Sequence, residues 1–376
     1  MKLYYFSEMP HHEFPDEEAE KYPSMRLDFP NTFFNREKAH ENYRRYFDEY
    51  ELADEVGFAG LMINEHHSTP SCVDVGVNIS AGILARTTKR AKLLLLGNIL
   101  PIQDNPVQMA EQIAMVDLIS GGRVLSGFVR GIGIETWWSN TNPVHNRERF
   151  EECHDLILKC WTTPGPFRWE GKHYHFRHVN PWALPLQRPH PPIWVPGTAS
   201  PETAIWAGRR GYTYVPFLVP FAIARELFDY YRQAAHEAGH EPGPDNFGFL
   251  ICAVTADTEQ KALEAGRHFV WRMGPTLRGP VEYFAPVGMR SRLGTQMALR
   301  ARPVSLAKMS YEELLEAGMI IAGTPEQVTE RFATIQRELG IGHLLLEAQE
   351  SRMDHPTTMR SIELMGQKVI PALEGL

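Results

Sequence analysis

Lys92-Leu93-Leu94-Leu95-Leu96-Gly97, Pro106 to Leu118, the turn Ser120-Gly121-Gly122 and Arg123-Val124-Leu125-Ser126-Gly127-Phe128 form the stretch on which the fold turns. Its two apolar runs read as strands buried on both faces. Between them Pro106 opens a helix at the position where a missing N–H costs least, and glycines follow its end. Strands joined through a helix rather than a tight turn run parallel, so this stretch is a βαβ unit.

The same unit recurs outward in both directions. Upstream, Leu3 to Phe6 reads as a first strand, and a helix from Arg36 to Val56 stops at Gly57. Gly60-Leu61-Met62-Ile63-Asn64 follows as a strand, and Val75 to Ala85 as a helix. Downstream come a helix at Arg147 to Thr162, a hairpin at Phe167 to Phe176 and a proline-dense loop at Pro181 to Pro192. Strands at Ile193-Trp194-Val195, Tyr212 to Val215, 247–255 and Ile341 to Leu346 then alternate with helices at Thr203 to Arg209, 222–239, 259–272 and the one opened by Gly323-Thr324-Pro325. Eight strands in this rhythm predict an α/β fold, a TIM (β/α)8 barrel with insertions, over a single domain at 1–376. No GxGxxG follows the first strand, which weighs against an open dinucleotide-type sheet. Residues 7–36 read as a long loop, and 275–318 break the rhythm as an insertion placed to act as a lid.

With a net charge of −8, the chain lacks the basic face that nucleic acid demands. The first residues turn charged too soon for a signal peptide or a membrane span. Cys72, Cys153, Cys160 and Cys252 form no CxxC pair and read as free buried thiols of a cytoplasmic protein.

Barrels of this kind build their sites where strands end. Three such places are dense in chemistry. Glu65-His66-His67 follows the second strand: either these are surface residues with Glu65 pairing an arginine, or one histidine faces the barrel mouth and handles a proton. Adjacent histidines make poor metal partners, and no metal is expected. Gly97-Asn98-Ile99-Leu100-Pro101 is either a simple turn or a place where backbone closely approaches a flat ring. Arg130-Gly131-Ile132-Gly133 offers an arginine and glycine-freed amides to an anion. Ser200 and Thr203, at a later helix start, either cap that helix or complete a phosphate cradle.

In this order, and with Arg147-Glu148-Arg149-Phe150, Trp169-Glu170-Gly171-Lys172, Pro191-Pro192-Ile193-Trp194 and Gly323-Thr324-Pro325-Glu326, the chain resembles the bacterial luciferase-like flavin monooxygenases from Met1 to about Pro371. The resemblance implies FMN, bound non-covalently as FMNH2 delivered by a flavin reductase, with O2 adding at the flavin C4a carbon to oxygenate a small organic substrate. It implies His66 as the catalytic histidine, Arg130, Gly131 and Ile132 with Ser200 and Thr203 at the phosphate, and Gly97 and Asn98 behind the flavin ring, often with an unusual peptide bond. Val129 stands where luciferase has a cysteine, so light emission is not expected. A homodimer joined through the helices near the second strand is also implied. An F420-dependent hydride-transfer enzyme of the same superfamily is the alternative, with a catalytically silent flavin-binding protein as a third reading. Phe128, Trp137, Trp138 and Phe217 are candidates to line an aromatic pocket.

Overall fold

The computed structural model describes residues 1–301 and 308–374. Its strands are β1 (Lys2–Ser7), β2 (Gly60–Ile63), β3 (Lys92–Ile99), β4 (Val124–Val129), β5 (Phe167–Glu170), β6 (His175–Val179), β7 (Ile193–Gly197), β8 (Thr213–Pro216), β9 (Gly248–Thr255), β10 (Ile320–Gly323) and β11 (His343–Gln349). All but β5 and β6, which form a separate hairpin, make one parallel sheet in the order β10-β9-β11-β1-β2-β3-β4-β7-β8. The sheet curls until Tyr214 bridges Phe247 and Phe217 bridges Leu250, joining β8 to β9. β9 therefore has a divided edge: its first half meets β8, and its second half pairs with β10 through Cys252↔Ile320 to Thr255↔Gly323.

Strand side chains alternate between the faces of the sheet. Tyr4, Phe6, Met62, Leu94, Leu96, Trp194, Val215 and Leu345 pack together inside the curl. Their neighbours Leu3, Tyr5, Leu61, Leu93, Leu95 and Leu344 pack outward with the surrounding helices. Burial on both faces is why the strands read as unbroken apolar runs. All four cysteines are free and buried. No helix of the described residues is long and apolar enough to cross a membrane.

The structure departs from expectation at irregular segments. The 7–36 segment contains helical turns at Asp16–Glu20 and Asn31–Phe33, and a short helix, Gly133–Trp138, follows β4. The helix expected at 259–272 breaks into Glu259–Gly266 and Phe269–Met273. The ninth strand, β10, lies just past the expected 275–318 insertion. Within that insertion are Val281–Phe284, Arg292–Ala301 and Tyr311–Glu316, while 302–307 lie outside the described residues.

Candidate active site

A cavity of about 460 Å³ opens where the barrel strands end. Its apolar floor includes the interior residues Phe6, Met62, Leu96, Val215 and Leu250. His66, Gly97, Arg130, Gly131, Ile132, Ser200 and Thr203 all line it. Asn98 is placed elsewhere: its Oδ1 accepts from Asn78 Nδ2 at 3.0 Å, and its buried Nδ2 has no partner.

The Glu65-His66-His67 run divides its work. Among the described residues Glu65 pairs with no arginine; its Oε2 accepts the Val77 amide at 3.0 Å, at the start of helix Val77–Thr87. His67 stacks on Trp138, with ring centroids 3.7 Å apart and planes 5° from parallel. Glu65 and His66 both line the cavity, and His66 brings its ring there, with Nδ1 3.0 Å from Glu135 Oε1 and Nε2 3.8 Å from Glu8 Oε2. Burial pushes the Glu135 carboxyl up, but the His66 bond and charge and the Ile132 amide outweigh it and hold it below its ordinary range. An ionised Glu135 places the proton on Nδ1, leaving Nε2 to exchange one toward the cavity.

Behind this pair lies a buried ion network. Glu8 accepts from Arg272 and, at 2.9 Å, from Asn64. Arg272 Nε also lies 3.2 Å from Glu347 Oε1. Burial raises Glu8, yet Arg272, His66 and Arg26 pull it below its ordinary range. Burial and the Glu347 charge instead hold Glu350 well above that range.

A second polar group gathers positive charge. Arg130 is aimed by Asn146, whose Oδ1 accepts from its Nε at 3.0 Å, and by the Met289 carbonyl at 3.1 Å from Nη2. Arg147 donates to Thr203 Oγ1 at 3.1 Å, and Thr203 donates to Ser200 Oγ at 3.0 Å. The Ser200 hydroxyl makes no capping bond to its helix, Pro201–Arg210; it donates to Glu202 Oε2 at 3.1 Å. Burial and the nearby Arg147 push the Arg130 guanidinium down to about 9. Arg147 and Arg290 line the same cavity, with Glu202 as the nearby carboxylate. Crowded cations with hydroxyls beside them suit a phosphate, so the residues present fit the phosphate end of a flavin.

Three details correct expectation. The Ile132 amide does not wait for a phosphate; it donates to Glu135 Oε2 at 2.7 Å. The irregularity at Gly97 is a bulge and not an unusual peptide: the β3–β4 register slips between Leu95 and Asn98, and the cis bonds of the described residues are Gly165-Pro166 and Arg188-Pro189. A Cβ on Gly97 would sit 2.1 Å from Val129 Cγ2, so the glycine makes room for Val129. Of the four aromatic candidates, Phe217 lines the cavity; Phe128 is buried against His154 and Trp161, and Trp137 and Trp138 are exposed.

A profile of the luciferase-like monooxygenases matches residues 26–343. The chain belongs to that family. Among its relatives is an FMNH(2)-dependent dimethylsulfone monooxygenase of Pseudomonas putida, 27% identical over 91% of this chain and 88% of the other. The fold is shared with the oxygenating constituent of 3,6-diketocamphane monooxygenase from Pseudomonas putida, in complex with FMN (TM-score 0.71, 22% identity, 89% of this chain and 94% of that one). It is also shared with an F420-dependent secondary alcohol dehydrogenase (TM-score 0.68, 18% identity, 88% and 96%).

Glu8, Arg26, Glu135, Arg147 and Arg272 line the cavity as well, without having been singled out as site residues from sequence. Arg147 sat inside a family motif, and Glu135 follows Arg130-Gly131-Ile132-Gly133 by a single turn, so both carried a signal. Glu8 and Arg26 come from the 7–36 segment, which has no periodicity, and Arg272 closes a predicted helix with nothing in the sequence to point it at a site. A separate trio, His145, Glu148 and His173, could hold a metal ion, their ligand atoms lying within 4.8 Å of one another outside the cavity lining. Glu148 is already held by Lys172 at 2.8 Å.

Proposed function

We propose that this chain is the oxygenase of a two-component system, taking reduced FMN from a separate flavin reductase and using O2 to oxygenate a small organic substrate by hydroxylation or Baeyer–Villiger insertion. The observation that carries the reading is the joining, in one largely apolar cavity, of the Glu135-held His66 and the arginine-rich cradle. When bound, reduced FMN supplies the electrons that activate dioxygen. Arg130, Arg147, Ser200 and Thr203 would hold its phosphate, and the bulge at Gly97 would shape the wall offered to its ring. His66 Nε2 gives or takes a proton on the cavity side while Glu135 fixes the imbalance of charge. Phe6, Met62 and Leu250 keep water from the reacting atoms. The first part of the insertion, 275–301, acts as a lid: Met289 and Ser291 bond Arg130 and Glu202 across the cradle.

The enzyme works as a cytoplasmic homodimer in this reading. Its free buried thiols suit a reducing compartment. The exposed Val75, Ile79 and Ile83 and, on neighbouring helix Pro106–Ser120, Met115 and Ile119 are the face a second copy covers.

Anaerobic titration with FMNH2 and with reduced F420, followed by admission of air, tests the function. Tight FMNH2 binding with oxygen uptake is expected. Arg130→Ala should weaken binding by about tenfold to hundredfold, the worth of a charged hydrogen bond, and His66→Ala should leave binding intact but lose oxygenation. Selective F420 binding without oxygen uptake would replace this reading with hydride transfer, the chemistry of the F420-dependent structure that shares the fold. FMN binding with no oxygen chemistry would leave a silent flavin-binding protein.

A further inference from the structure

Arg26 is a large cation in an unusual position. It lines the cavity with only 1% of its surface exposed. Its Nε donates to the Thr276 carbonyl at 2.9 Å, and its buried Nη1 has no acceptor among the described residues. Arg272, on the same cavity, is tied to Glu8 and Glu347 but leaves its own buried Nη1 without one. The carboxylates nearby are committed: Glu8 to Arg272 and Asn64, Glu135 to His66 and the Ile132 amide. A buried guanidinium N–H without a partner costs free energy that an arriving oxygen would recover. Arg26 takes no part in the hydrogen bonds that join Arg130 to Asn146 and Met289 and Arg147 to Thr203. The same cavity also presents hydrocarbon, contributed by Phe6, Met62 and Leu250.

Resting on the oxygenase reading, we propose that the substrate is an organic acid whose carboxylate or sulfonate docks on Arg26, with its apolar body lying on Phe6, Met62 and Leu250 near His66. The planar guanidinium matches either oxyanion through paired N–H···O bonds. Arg26 thereby selects acids over neutral molecules of the same shape, because a neutral amide brings a weaker acceptor to the same buried charge.

Calorimetric titration of FMN-saturated protein with benzoate, benzenesulfonate and benzamide, three probes of closely similar shape, tests this. At least one acid should bind about tenfold or more tightly than benzamide, and comparison of the two acids tells carboxylate from sulfonate recognition. Arg26→Gln should abolish that preference, and Arg26→Lys should keep part of it. A thermal melt of each variant separates loss of folding from loss of recognition, with Arg26→Lys carrying the test if Arg26→Gln does not fold. Equal binding of the amide, no binding of either acid, or an unchanged preference in Arg26→Gln would overturn the assignment. So would weaker FMN affinity in the variants, which would make Arg26 a cofactor residue. A wild-type protein that fails to bind FMN would instead sink the oxygenase reading, and the same titration without flavin would still report whether Arg26 selects acids.

Discussion

Glu350 shows how burial and charge can set a residue against its own ionisation. It sits next to Glu347 in the ion network behind His66, and its Oε1 accepts the Ser351 amide. Burial first, and the Glu347 charge second, raise it well above the ordinary glutamate value of 4.5. The native protein therefore keeps a proton that the unfolded chain releases. Its stabilising contribution is complete below the unfolded value and drains away as pH rises toward the native one. Glu350→Gln has no proton to lose. Between about pH 5 and about pH 8 its urea midpoint should gain on wild type by the equivalent of on the order of 1 kcal/mol. A difference that stays flat with pH would show that Glu350 ionises freely in the fold. Glu135 runs the other way: its lowered value adds stability that is present above the ordinary range and lost in acid.

Among the elements, β3 and β4 show what the sequence could and could not tell. The apolar runs, the helix between them and the glycines at their ends were legible, because double-sided burial and helix punctuation act locally. The bulge at Gly97 was not, since it answers to Val129 on the neighbouring strand. Gly97→Ala should cost about 1–3 kcal/mol through overpacking. Val129→Ala in the same chain should return part of that loss, measured as a double-mutant cycle in chemical denaturation. Additive losses would mean the two residues do not touch in solution. The helix pair bearing Ile79 and Met115 gives a second prediction. Ile79→Asp should yield a monomer in sedimentation velocity while leaving the far-UV spectrum intact; an unchanged sedimentation coefficient would remove this face from the interface.

Across the whole molecule, residues from distant parts of the chain meet at one end of the barrel. His66, Arg130, Ser200 and Thr203 were readable because each lies shortly past the end of a strand, and barrel topology brings those strand ends together. Arg26 and Arg272 were not, because their meaning is tertiary: only in the folded chain do 7–36 and 269–277 enclose them. The short β10 was hidden for a related reason, four residues at the far margin of an irregular segment. The described insertion also ties into the cradle through Met289 and Ser291. Limited proteolysis at the exposed residues Val287 and Leu299 should slow severalfold on adding FMN. Equal cleavage with and without FMN would detach this segment from the cofactor.

The divided edge of β9 has a consequence for altering this enzyme. Between β8 and β9 the barrel is stitched by two isolated bridges, Tyr214 to Phe247 and Phe217 to Leu250, where β1 with β11 and β3 with β4 share longer ladders. Phe217 and Leu250 also face the cavity. Widening the bore for bulkier molecules therefore has a natural starting line: smaller side chains at this seam enlarge the chamber while the rest of the staves keep their registers.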